Sequence, residues 1–238
     1  MSVYVIADLH LCTDNESKTM EVFGNRWKDY KNRIQTNWNK LVAEDDTVII
    51  PGDISWALTL QDAISDLRFL HSLNGKKVIM KGNHDFWWSS VTKMNALFTE
   101  LGIDSISILN NNALEVEDYI ITGSRGWFVD SSVQTKNVNA DFDKVNNREL
   151  IRLKIGLEAA RKMKDETNKE IIAFFHFPPL WGEFKNEGII NLLNEYEIKR
   201  CYFGHIHGNY TVSGSFDVNG IQMHLISADY INFIPRYI

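Results

Sequence analysis

The chain has 238 residues, 44% hydrophobic and 24% charged, an ordinary globular composition. Its net charge of −6 and pI near 5.6 argue against the broad basic face that extended nucleic acid requires. No apolar run approaches the ~20 residues of a membrane span, and Cys12 and Cys201 form no metal or disulfide spacing pattern.

The opening MSVYVIADLH already reads as a strand, so no removable leader is expected. With the reduced look of its cysteines, the protein is expected in the cytoplasm. Val3–Ala7, Thr47–Ile50 and Lys77–Met80 are short runs rich in Val and Ile, as expected of strands covered on both faces. Arg26–Ala43 reads as a first helix. Between the second and third strands, Leu60, Ala63, Ile64, Leu67 and Leu70 recur at helical spacing. This alternation predicts an α/β fold. Further along, Ser105–Leu109, Leu114–Val116 and Tyr119–Thr122 read as short strands, with an Asn110–Asn112 turn between the first two. Residues 125–147 lack periodicity and read as a long loop. Leu150, Leu153, Leu157 and Ala160 then mark a long helix, and Ile171–Phe175, Arg200–Phe203 and Gln222–Ile226 return to strands. The elements predict an α/β sandwich of two packed β-sheets with flanking helices, and candidate ligands drawn from residue 8 to residue 207 predict one domain over 1–238.

Seven residues of metal-ligand type stand at the ends of these strands: Asp8 and His10 in DLH, Asp53 in GD, Asn83 in GNHD, His176 in FFHFPP, and His205 and His207 in GHIH. In α/β sheets the crevice at the carboxyl ends of strands is where ligands bind. Asp8 and His10 lie two apart in an extended segment, as do His205 and His207, so each pair can face one side. Carboxylate with imidazole suits two divalent ions of Mn, Fe, Zn or Ni better than Ca. Asp53 is the natural bridge between the ions, with Gly52 allowing a sharp backbone turn. With a bridging hydroxide, Asp8 and Asp53 leave two divalent ions at +1, a charge that favours an anionic phosphate ester. His84 is placed to protonate a leaving group or stabilise charge on the phosphoryl oxygens, with Asp85 expected to orient it.

The order DLH, GD, GNHD, a lone His and GHIH over residues 8–207 resembles the calcineurin-like metallophosphoesterases. The resemblance implies a four-layer sandwich of two mixed sheets and a dinuclear centre that hydrolyses phosphomono- or phosphodiesters. It also implies that one ion takes Asp8, His10, Asp53 and His207 and the other Asp53, Asn83, His176 and His205, with His84 assisting at the leaving group. GDIS departs from the protein Ser/Thr phosphatases, which follow GD with Asp, Arg and Gly. A small phosphate ester is therefore the expected substrate. The alternatives are a nuclease of the same fold, which would need a basic track, and a non-catalytic scaffold, which would have lost ligands.

Other candidates are read more plainly. Arg125 in GSRGW could contact a phosphate bidentately, although pairing with an acidic residue is at least as good a reading. Trp56, Trp87, Trp88 and Trp181 follow the motifs closely and are expected to brace the loops by packing rather than to stack on substrate. His71 and His224 are expected outside the site, and Cys12 in the core.

Overall fold

A computed structural model describes residues 1–14, 19–127 and 138–238, with side chains from residue 143 onward in the last span. In the first sheet, strands β1 (Val3–Val5), β2 (Thr47–Ile50), β3 (Lys76–Ile79) and β4 (Ile106–Ile108) lie side by side in that order, all parallel. The last strand of the chain, β13 (Arg236–Tyr237), closes the edge antiparallel to β1. The second sheet has a parallel centre of β12 (Ile221–Leu225), β10 (Arg200–Phe203), β7 (Glu170–Phe175) and β6 (Tyr119–Ser124), again in spatial order. The antiparallel strands β11 (Ser215–Val218) and β5 (Ala113–Val116) flank it beside β12 and β6, and a small hairpin pairs β8 (Leu180–Trp181) with β9 (Phe184–Lys185).

Alternate residues of the parallel strands serve two different cores, the period-2 rule applied to strands buried on both faces. Val5, Ile49, Val78, Ile172 and Phe174 meet between the two sheets. The opposite faces carry Val48, Ile50 and Ile79 in one sheet and Ala173, Phe175 and Phe203 in the other. Helices α1 (Tyr30–Leu41), α2 (Ile64–Ser72) and α3 (Val91–Leu101) cover the first sheet through Ile34, Trp38, Leu67, Leu70, Met94 and Phe98. Helices α4 (Val138–Thr167) and α5 (Glu187–Glu195) cover the second through Leu153, Leu157, Ile190 and Leu193. The result is the expected four-layer arrangement, and truncating a central side chain such as Phe174 to Ala would cost about 3–5 kcal/mol.

Local chemistry sets the helix limits. The first helix starts at Tyr30 rather than Arg26 because Asp29 takes a left-handed backbone, φ 54°, and the chain before it forms two short 3-10 turns. Ser90 accepts the Lys93 N–H at the start of α3, and Gly102 ends it with φ 67°, a left-handed cap that favours glycine. At the end of α2, the buried Lys77 ammonium donates to the carbonyls of His71, Leu73 and Gly75 at 3.2, 2.6 and 2.8 Å. A strand lysine thereby satisfies carbonyls that a helix end leaves open.

The expectation of a long loop over residues 125–147 is corrected in part. Residues 128–137 lie outside the described residues, but 138–147 belong to α4. That stretch is rich in Asn and Asp, residue types common in loops, yet it continues a helix already formed; adding residues to a formed helix is easier than nucleating one. No described helix is long and apolar enough to cross a membrane.

Candidate metal centre

The carboxyl ends of β1, β2, β3, β7 and β10 bring all seven candidate ligands to one crevice between the sheets. Asp8 and Asp53 are buried, and their backbones are left-handed, as are those of His10 and His205, with φ between 46° and 71°. Asp and His tolerate this region better than branched residues, and such conformations collect where the surroundings fix a functional side chain. Gly52 has φ 100°, and a Cβ there would fall 2.6 Å from the Gly82 Cα and 2.9 Å from His176 Nδ1. A Cβ on Gly82 would collide with the Asp53 carboxylate. The two glycines therefore let the GD and GNHD loops touch.

His10 Nε2 lies 3.2 Å from His207 Nε2, and Asp8 completes a group of three with donor atoms within 4.8 Å of one another. His176 forms the second such group with Asp8 and Asp53, its Nδ1 3.5 Å from Asp8 Oδ1 and its Nε2 3.5 Å from Asp53 Oδ2. Asn83 Oδ1 approaches His176 Nε2 at 2.6 Å, and the His205 ring packs edge-on against His176 at 5.2 Å. Asp53 Oδ2 also lies 3.6 Å from His10 Nε2, so it stands between the two halves.

The electrostatics of these groups suit the binding of cations. Burial, reinforced by the neighbouring charges of Asp8 and Asp85, pushes the Asp53 carboxyl up to about 9. Burial likewise raises Asp8 to about 6. It pulls His10 and His176 well below the usual imidazole range and His205 to about 4, which leaves them neutral and able to coordinate. Asp8 Oδ1, Asp53 Oδ2 and His176 Nδ1 are buried with no hydrogen-bond partner. Buried polar atoms are nearly always paired, so three orphans converging on one crevice need an explanation. The N and O donor set and these orphans fit a pair of divalent transition-metal ions.

His84 is half-buried at the mouth. Its N–H donates to Asp53 Oδ1 at 2.8 Å, and its ring lies 4.3 Å from Trp56 and 5.6 Å from His10. Asp85 does not orient it, contrary to expectation. The Asp85 carboxylate accepts the N–H groups of Asp53, Ile54, Ser55 and Gly82 and the Trp87 indole, at 2.8–3.2 Å. It is the knot that ties the GD loop to the GNHD loop.

Asp229 escaped sequence reasoning. Buried behind His207, it accepts His207 Nδ1 at 2.8 Å, the Gly208 N–H at 3.2 Å and the Tyr210 hydroxyl at 2.9 Å. Burial would raise its carboxyl, but these bonds outweigh it and hold Asp229 low. Burial depresses His207 in turn, and the Asp229 bond and the Asp8 charge outweigh that and raise it. A carboxylate behind a ligating imidazole fixes its tautomer and strengthens it as a ligand. The available signal was position, since Asp229 follows the last apolar strand much as Asp8 and Asp53 follow theirs.

Arg125 lies 3.8 Å from the buried Glu149 and over the Trp127 ring, so it has an acidic partner at the rim of the crevice. Trp87 and Trp181 brace the structure, the first bonded to Asp85 and the second packed on Phe203. Trp56 stacks on His10 with ring centroids 5.0 Å apart. His71 and His224 bond to Ser105 and Ser215, away from the centre. Cys12 is buried against the Tyr30 hydroxyl.

The family model for calcineurin-like phosphoesterases matches residues 1–209. No curated protein compared with the chain matches it. Among solved structures, TT1561 of Thermus thermophilus is similar with a TM-score of 0.54 at 10% identity, covering 99% of this chain and 96% of that one. At that identity the likeness is one of fold. AQ665 from Aquifex aeolicus, a protein of unknown function, aligns over 99% of this chain and 95% of its own at 17% identity and a TM-score of 0.44.

Proposed function

The chain belongs to the calcineurin-like phosphoesterase family, and from that premise we propose that it hydrolyses a small phosphodiester or phosphomonoester with two divalent metal ions held by Asp8, His10, Asp53, Asn83, His176, His205 and His207. The observation that carries this reading is the convergence of Asp8, Asp53 and His176, which offer ligand atoms within 4.8 Å of one another, with Asp8 Oδ1, Asp53 Oδ2 and His176 Nδ1 buried and unpartnered. When bound, the ions would activate the attacking water and polarise the phosphoryl oxygens.

The remaining tasks fall to the chain. Asp8, His10 and His207 would hold one ion; Asn83, His176 and His205 would hold the other, with Asp53 between them. Asp229 keeps His207 in the tautomer that offers Nε2. His84, at the open side of the centre, would hydrogen-bond a phosphoryl oxygen or assist the leaving group. Trp56 excludes water from the face of His10. Residues 1–238 act as one unit in this reading, because β13 from the C-terminus pairs with β1 directly beneath Asp8. Mn, Fe, Zn and Ni all suit the donors, and a cytoplasmic setting agrees with two free buried cysteines.

Hydrolysis of bis(p-nitrophenyl) phosphate by metal-stripped protein tests the proposal. Turnover should appear only when Mn²⁺ is restored. Equal turnover with and without metal would contradict it, as would failure on both this diester and p-nitrophenyl phosphate by protein shown to carry metal.

A further inference from the structure

A second cavity, of about 310 Å³, opens at the carboxyl ends of β3, β4 and β6, within the size range of small-ligand sites. It takes its walls from both sheets and adds the first turn of α3 and one face of α4. Its backbone is continuous with the metal loops. Lys81 stands two residues before Asn83, and the Arg125 carbonyl accepts the N–H of Phe177, next to His176, at 2.8 Å.

The lining is cationic. Lys81, Arg125 and Arg152 face the cavity together with a single carboxylate, Glu149, which leaves a charge of +2. Glu149 is only 1% exposed and accepts Arg152 Nη1 at 2.6 Å, with Arg125 Nη2 at 3.8 Å. It holds the two guanidinium groups side by side without neutralising the set. Arg125 Nε is buried and has no hydrogen-bond partner, and Lys81 is half-buried with no ion pair among the described residues. A set of partly buried cations that outnumbers its counter-charge is costly unless something completes it. Ser90 and Val91 bring the N-terminus of α3 to the same space, where free N–H groups and the helix dipole favour an anion.

We propose that this cavity is a phosphate site distinct from the metal centre. By its chemistry it takes either a second phosphate of the substrate, with the scissile one on the metals, or free inorganic phosphate. The first form rests on the hydrolase reading above; the site itself does not. The guanidinium fork and the ammonium divide the work as they do elsewhere, Arg fixing orientation and Lys acting as a point charge.

Isothermal titration of inorganic phosphate into metal-stripped protein reads the site without catalysis. Wild type should bind one phosphate, and Arg152→Gln and Lys81→Met should each weaken it about tenfold or more, the worth of one charge-assisted hydrogen bond. Arg152 is 47% exposed and a Gln amide can still donate to the buried Glu149, so the fold should survive the replacement. No binding, or the same affinity in wild type and both variants, overturns the site. Kinetics on the metal-loaded protein then separate the two sources of phosphate, comparing thymidine 5′-(p-nitrophenyl phosphate) with its 3′-phosphorylated form. A kcat/KM advantage of about tenfold for the bisphosphate, shrinking in both variants, assigns the cavity to the substrate. A ratio near one with titrated binding intact assigns it to free phosphate. Turnover of neither ester would defeat the hydrolase reading, while the titration still decides the cavity.

Discussion

Asp85→Asn isolates the knot between the GD and GNHD loops, because it keeps the side chain's size and removes only charge and one acceptor. Oδ2 accepts the Asp53 and Gly82 N–H groups at 2.9 and 2.8 Å, and Oδ1 accepts those of Ile54, Ser55 and the Trp87 indole at 2.9, 3.2 and 2.9 Å. Burial pushes this carboxyl up, yet all five neighbours are donors, so the ionised form is the one the nest holds. An asparagine must turn its NH₂ toward one of the two sets. Even the smaller loss strands two N–H groups, each worth about 1.5–3 kcal/mol when bonded to a charged acceptor. The expected destabilisation is about 3–6 kcal/mol, which lowers Tm by roughly 6–24 °C for a chain of this size. Because the freed N–H groups belong to Asp53 and its contact Gly82, metal affinity should fall along with stability. Urea unfolding and a metal titration of the same preparation measure both. A variant within about 1 kcal/mol of wild type that binds metal equally well would refute the knot.

Four further outcomes are expected. His84→Ala should retain its metal while kcat falls about 10²-fold or more, read by steady-state kinetics beside metal analysis; loss of the metal would place His84 among the ligands instead. Asp229→Asn should weaken metal binding about 10–100-fold through His207, and an unchanged affinity would deny Asp229 that role. Metal binding to stripped protein at pH 7 should release at least one proton, because Asp53, raised to about 9, is protonated there while Asp8, at about 6, is mostly not, and the raised His207 imidazole gives up a further share. Apparent affinity should therefore climb with pH toward 9, and calorimetry in buffers of different ionisation enthalpy counts the proton. Lys77→Met should destabilise the fold by about 2–4 kcal/mol, since it leaves the Leu73 and Gly75 carbonyls after α2 without their side-chain donor, with no change in metal affinity.

What the sequence showed and what it hid divide along a physical line. Strands such as Thr47–Ile50 and Arg200–Phe203 matched their expected limits because runs of buried residues end where the ligand-bearing loops begin. The candidate ligands were legible for the same reason, as polar residues just past those runs. Helix α3 carried readable signals, Ser90 before it and Gly102 after it, that went unused. Strands β11 and β13 were less accessible, being short, half-exposed in β11 and exposed in β13, and defined by their partners rather than by their own pattern. Asp85 and Asp229 were beyond local reasoning altogether. A carboxylate that gathers N–H groups from 30 residues away, or sits behind a histidine 22 positions earlier, declares its role only when the sheets bring those segments together. The same holds for the cationic cavity, whose members come from β3, β6 and α4.

The central claim is that two ions sit across Asp53, and the most direct measurement is the metal content per chain of wild type and Asp53→Asn by mass spectrometry after equilibration with Mn²⁺. Wild type should carry two ions per chain, and the variant should lose both ions together with diester hydrolysis. Two ions and full hydrolysis retained in Asp53→Asn would contradict the claim.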